Sequence, residues 1–98
     1  MVSLMQVSYS HALSQNKAQI SLGLITAASG WRAGDGPITE LERDIALRAL
    51  TREAEEFGAE GIVDVRFTVE TVSGPDQHGA PLRRVVATGD AVRFQVAA

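Results

Sequence analysis

A helix with a written start and a written stop dominates this 98-residue chain, and two strand-like runs follow it. Thr39 and Glu42 have the spacing of a capping box, in which each side chain satisfies a free backbone N–H of the first turn. Gly36 and Pro37 stand just outside it as breakers. The interior, Leu41 to Phe57, is rich in Ala, Leu, Arg and Glu, which favour helix. Gly58 suits the left-handed position that ends one. The run from Thr39 to Phe94 therefore reads as helix, glycine stop, strand, loop and strand.

The helix carries two apolar stripes. At about 100° per residue, Ala46, Leu47, Leu50, Ala54 and Phe57 share one broad face. Leu41, Ile45 and Ala49 form a second stripe beside it, and Glu40, Asp44, Arg48, Thr51 and Glu55 make the polar arc. Covering one sheet needs one stripe. The second either widens the core face or meets another copy of the chain, so Leu41, Ile45 and Ala49 are the expected interface residues.

Ile62 to Val72 alternates, with Val63, Val65, Phe67 and Val69 pointing one way and Asp64, Arg66, Thr68 and Glu70 the other. Leu82 to Val96 is the return strand. Val85 and Ala87 fall on one parity, and Val92, Phe94 and Val96 on the other. A strand changes faces only through an extra residue, which predicts a bulge near Gly89 and Asp90. Ser73 to Pro81 is the loop between.

Upstream, Gln19 to Ala27 reads as a strand, with Gly23 marking a bulge or a close backbone approach. Val2 to Tyr9 alternates as a strand does, or is a terminus that orders against a neighbour. Ser10 to Lys17 reads as a turn. If the first segment is a strand, it forms a hairpin with the second. The fold class is then α+β: a single helix packed on an antiparallel sheet, in the order β-β-α-β-β and in two layers. Residues 1–98 make one domain.

The segment EAEEFGAEGIVDVRF and the later VVATGDAVRF resemble the YbjQ family, also called UPF0145, which is named for heavy-metal binding. The matching positions are Glu53, Ala54, Gly58, Ala59, Ile62, Val63, Val65, Arg66 and Phe67, then Val86, Ala87, Gly89, Ala91 and Val92. The match runs over residues 47–94. Asp64 stands where the family commonly has Gly, Thr88 where it often has Tyr, and Asp90 where it often has Thr. The stretch before the helix is shorter than is usual in the family. The resemblance implies a small dodecin-like fold and a ring-shaped oligomer, a pentamer, with no defined biochemical role.

Bulk properties remove several classes. Nine Lys plus Arg against twelve Asp plus Glu give a net charge of −3, without the basic face expected of a nucleic-acid partner. Arg83 and Arg84 are adjacent, but in a strand they point to opposite faces. There is no cysteine, hence no disulfide, thiolate metal site or thiol redox chemistry. Met1 to Ser14 lacks the pattern of a signal peptide, and no apolar run reaches the ~20 residues that span a membrane. The expected location is the cytoplasm, with no membrane partner.

The chemistry-bearing residues are few. His11, His78 and Asp76 are the candidate metal ligands. A zinc or copper site needs three or four donors, so two solvated histidines are the simpler reading and no metal is expected. Glu53 lies at the edge of the main stripe and is expected to pair with Arg66 as a structural ion pair, the alternative being a shielded general base. Trp31 and Arg32, in the glycine-rich loop Ser29 to Pro37, are either a ligand platform or, for Trp31, an interface anchor. No serine sits in a nucleophile motif. The expectation is a non-enzymatic, self-assembling module without a cofactor, serving as a scaffold or a platform for another protein. The alternative is a protein that binds a small ligand or a metal ion between subunits.

Overall fold

The computed structural model describes residues 5–10, 19–34, 36–72 and 81–94. Its elements are β1 (Gln6–Val7), β2 (Gln19–Ala28), β3 (Arg32–Ala33), α1 (Glu40–Glu56), β4 (Gly61–Val72) and β5 (Leu82–Phe94). One helix lies on a five-stranded mixed sheet whose order is β1-β4-β5-β2, with β3 also on β5. The α+β class and the single helix agree with the sequence reading.

The helix begins where its local chemistry says it should. Thr39 is the N-cap, its hydroxyl accepting from the Glu42 N–H, while the Glu42 carboxylate accepts from the Thr39 N–H. Phe57 is the C-cap, and Gly58 follows with φ 74°. Ala46, Leu50 and Ala54 are fully buried. They meet Ile25, Ala59, Ile62, Val65, Val85, Ala87 and Ala91 in one core. Full burial of a Leu50-sized side chain contributes about 1.5–3 kcal/mol. Leu47 is half-buried, but Phe57 is 60% exposed, so the main stripe ends one turn earlier than its periodicity suggests.

Two strand expectations are corrected. The first strand forms no hairpin with β2. It pairs parallel to β4, Gln6 opposite Gly61 and Val7 opposite Ile62. The track continues to Ser10, with Ser8 N–H donating to Ile62 O (2.9 Å) and Asp64 N–H donating to Ser10 O (3.0 Å). The second correction concerns the bulge. β5 runs without interruption from Leu82 to Phe94, and the irregularity lies on β4, between Val63 and Arg66. Asp64 has φ 55°, and the successive N–H groups of Asp64 and Val65 both turn outward to the first strand. The apparent alternation of Val63 with Val65 is therefore broken. Val65 joins the core under the helix with Ile62, whereas Val63 pairs with Asp90 on the other side of the sheet.

The change of parity along β5 has a different cause from an extra residue. β5 is the central strand and is buried on both faces: Val85, Ala87 and Ala91 lie under the helix, and Val86 and Val92 on the far side. Gly23 on β2 marks a register shift opposite Val92 and Ala91, at φ 124°. Past Ala28 the chain leaves the ladder for three residues. Ser29 bridges the gap, its N–H donating to Val85 O and its hydroxyl accepting from Val85 N–H, both at 2.9 Å.

Candidate functional site

The helix lies over β2 and β5 and makes few contacts with β4. This offset gives the molecule two different flanks. On the β4 side, Val69 stays 46% exposed although it points to the helix side. A cavity of about 200 Å³ opens there between helix and sheet, lined by Tyr9, Glu40, Arg43, Asp44, Leu47 and Phe67. The Tyr9 and Phe67 rings are tilted at 45° with centroids 6.2 Å apart, and the Arg43 guanidinium lies 6.0 Å from the Phe67 ring.

The helical phase puts Leu41, Ile45, Arg48 and Arg52 along one line on the outer side of the helix, away from the buried Ala46, Leu50 and Ala54. Leu41 is 58% exposed and Ile45 37%, while Ala49 is half-buried. The outer edge of β2 is ten residues without a charge or a proline. Ile20, Leu22 and Leu24 are exposed on it, Leu24 by 76%. Edge strands in solvent commonly carry charges or proline, which block pairing with other chains. Here only the irregularity at Ser21–Gly23 interrupts the edge, and the Ser21 hydroxyl donates to Asp90 at 2.7 Å across it.

A polar clamp ties the start of the helix to the sheet. Arg83 donates to both Glu42 oxygens (Nη2 to Oε1 2.8 Å, Nε to Oε2 3.2 Å) and to the carbonyls of Gly36 (2.6 Å) and Pro37 (3.4 Å). Both side chains are nearly inaccessible to solvent. The Glu42 carboxyl is held below the usual glutamate range. The Thr39 backbone N–H is the largest cause, burial opposes it, and Arg83 and the Thr39 hydroxyl add to the lowering. Arg84 points to the opposite face. It pairs with Glu70 on β4 and lies 4.6 Å from the Trp31 ring. The adjacent arginines thus serve opposite sides of the sheet.

The residues singled out from sequence fall in separate places. Trp31 is partly exposed beneath Arg84, and Arg32 is exposed on β3 beside a small cavity with Thr39, Glu42 and Arg83. Arg83 there is committed to Glu42 and two carbonyls, so this corner is a structural clamp. The expected pairing of Glu53 with Arg66 is not formed. Ion pairs among the described residues join Arg83 to Glu42, Arg84 to Glu70 and Arg93 to Glu60. Strand alternation is the reason: Arg66, between the inward Val65 and Phe67 and opposite Thr88, lies on the sheet face away from the helix that carries Glu53. His11, His78 and Asp76 lie outside the described residues. Among the described residues, no group of three or more His, Cys, Asp or Glu is gathered as a metal ion would need, and no helix is long and apolar enough to cross a membrane. Sequence reasoning missed the acidic and aromatic flank, because Tyr9, Asp44 and Phe67 come from segments far apart in the chain. It also missed Arg83 as the partner of Glu42.

Comparison with known proteins places this architecture. A UPF0145 protein of Halorubrum lacusprofundi is 34% identical over 76 residues, which are 78% of this chain and 67% of that protein. A solved structure of a protein with unknown function of the DUF74 family, from Pediococcus pentosaceus, superposes with a TM-score of 0.64. It covers 93% of this chain and 98% of its own at 13% identity, which speaks to the fold alone. The model of the YbjQ family, described as "Putative heavy-metal-binding", matches residues 37–95, the stretch that holds the helix, the Asp64 bulge and the central strand. With more than half of its length matched, this chain belongs to the YbjQ/UPF0145 family.

Proposed function

We propose that this chain is a non-enzymatic module that assembles with copies of itself into a closed ring and presents that ring as a platform for another protein. Five is the number of copies implied by the family resemblance. The observation that carries this reading is the uncharged ten-residue edge of β2, with the exposed Leu24 on it. A strand edge that carries neither charge nor proline is open to pairing with another chain. A chain of 98 residues also gains stability by covering such surface.

Ala49→Glu tests it. Ala49 is half-buried beside Ile45, and a carboxylate there would be desolvated on assembly. The expected result is a folded monomer by light scattering, against an oligomer for the unaltered chain. A variant that keeps the oligomer removes this stripe from the interface.

A second reading, a metal-ion site shared between copies, is supported by the description of the family model. Copies of one ligand brought together by a ring would supply the donors that one chain lacks. Elemental analysis of the purified oligomer separates the two readings.

A further inference from the structure

The Tyr9–Phe67 cavity lies on the β4 flank, away from the β2 edge. Tyr9 reaches it because the first strand follows β4 in parallel, with Ser8 N–H donating to Ile62 O. The Tyr9 ring is 65% exposed, whereas Phe67 and Leu47 are half-buried against the core and supply an apolar wall. On the helix, Glu40, Arg43 and Asp44 line the same cavity. Two carboxylates against one guanidinium leave one negative charge in excess. Neither carboxylate takes part in an ion pair among the described residues, where the pairs join Arg83 to Glu42, Arg84 to Glu70 and Arg93 to Glu60. The Arg43 guanidinium lies instead 6.0 Å from the Phe67 ring, at the outer limit of a cation–π contact.

Aromatic faces beside unpaired carboxylates suit a cation on an apolar stem. The rings attract the charge, and the stem covers the apolar wall. An anion would meet the excess negative charge, and a neutral apolar group would desolvate the carboxylates without pairing them. Size narrows the choice further. The cavity holds about 200 Å³, below the roughly 300–1,000 Å³ of sites for drug-sized ligands and cofactors.

We propose that this cavity receives one basic side chain, arginine before lysine, from the polypeptide that docks on the platform. A planar guanidinium can stack on a ring and offer paired donors to carboxylates, which an ammonium cannot. The site rests on the platform reading, for which it names the chemistry of the partner.

NMR titration of the amides of the unaltered chain tests it with three probes. They are an acetylated and amidated Gly-Arg-Gly peptide, the same peptide with citrulline in place of arginine, and free agmatine. Citrulline keeps the shape and loses the charge. The expected result is a dissociation constant of about 1 mM for the arginine peptide, with the shifts centred on Tyr9, Leu47 and Phe67, and no binding of the citrulline peptide. Glu40→Gln with Asp44→Asn should weaken binding about tenfold, and Tyr9→Leu about threefold. All three residues are exposed, and circular dichroism checks that the variants are folded. Shifts that are absent, centred elsewhere or reproduced by citrulline overturn the site, as does unchanged binding by the double variant. Agmatine binding more than tenfold tighter than the peptide overturns the polypeptide source. Native mass spectrometry of the same samples reads the assembly independently: an oligomer that ignores the peptide keeps the ring and loses this site, and a single chain that binds it keeps the site and loses the ring.

Discussion

Replacing Gly89 by alanine places a methyl group where the neighbouring strand β4 leaves no room. A Cβ at this position would stand 2.5 Å from Ile62 Cγ2, 3.3 Å from Val63 O and 3.4 Å from Val65 Cγ2. The nearest atom belongs to a β-branched side chain that is 0% exposed, so it cannot swing aside cheaply. The crowding follows from the bulge at Asp64, which turns both Ile62 and Val65 onto the single residue opposite. Overpacking of this kind costs about 1–3 kcal/mol. The smaller backbone entropy of the unfolded alanine chain offsets about 0.5–1 kcal/mol of it. A net loss of roughly 1–2 kcal/mol lowers the melting temperature of a domain this size by about 5–15 °C. Thermal and urea unfolding at a fixed protein concentration read it directly. Ile62→Ala alone costs about 2–5 kcal/mol through its cavity. In the double variant the two effects are less than additive by about 1 kcal/mol, because the alanine methyl then has space. A neutral Gly89→Ala, or strict additivity with Ile62→Ala, would refute the reasoning and the close approach on which it rests.

Two further predictions concern the clamp and the bulge. The folded state holds the Glu42 carboxyl below its ordinary range, so its contribution to stability is fully present above that range and is lost as pH falls through the lowered value. Glu42→Gln should therefore be less stable than the unaltered chain at neutral pH and should show a shallower loss on acidification, measured by urea unfolding across pH; parallel curves would count against the clamp. Asp64→Gly should fold as well as the original, since φ 55° suits glycine. Asp64→Val should cost about 1–2 kcal/mol or more through the left-handed backbone, and an unaffected valine variant would argue against a bulge there.

The helix was legible because its signals are local. Thr39, Glu42 and Gly58 act within a turn of themselves, and all three occupy the positions that their spacing implies. β2 was legible for the same reason, down to the irregularity at Gly23. The errors lie where partners are distant or periodicity misleads. Val63, Val65, Phe67 and Val69 read as one unbroken face, yet Asp64 in a left-handed conformation inserts a break that side-chain alternation cannot reveal. The pointer was present in the family resemblance, where this position commonly holds Gly. The expected meeting of Glu53 with Arg66 fails on alternation itself, because Arg66 stands between the inward Val65 and Phe67. The parallel placement of Gln6–Val7 beside β4 spans more than fifty residues of sequence and follows from no local pattern. The placement of the helix over β2 and β5 rather than β4 rests on packing between segments distant in the chain. Sequence alone showed the second stripe, but not the cavity lined by Tyr9 and Phe67.

The mass of the native particle tests the proposed assembly most directly. Native mass spectrometry of the untagged chain after gentle lysis, with elemental analysis of the same sample, should give one discrete multiple of the chain mass and no stoichiometric metal. A single chain at every concentration would contradict the central claim. Stoichiometric metal in a discrete oligomer would keep the ring and replace the platform reading with a metal site between subunits.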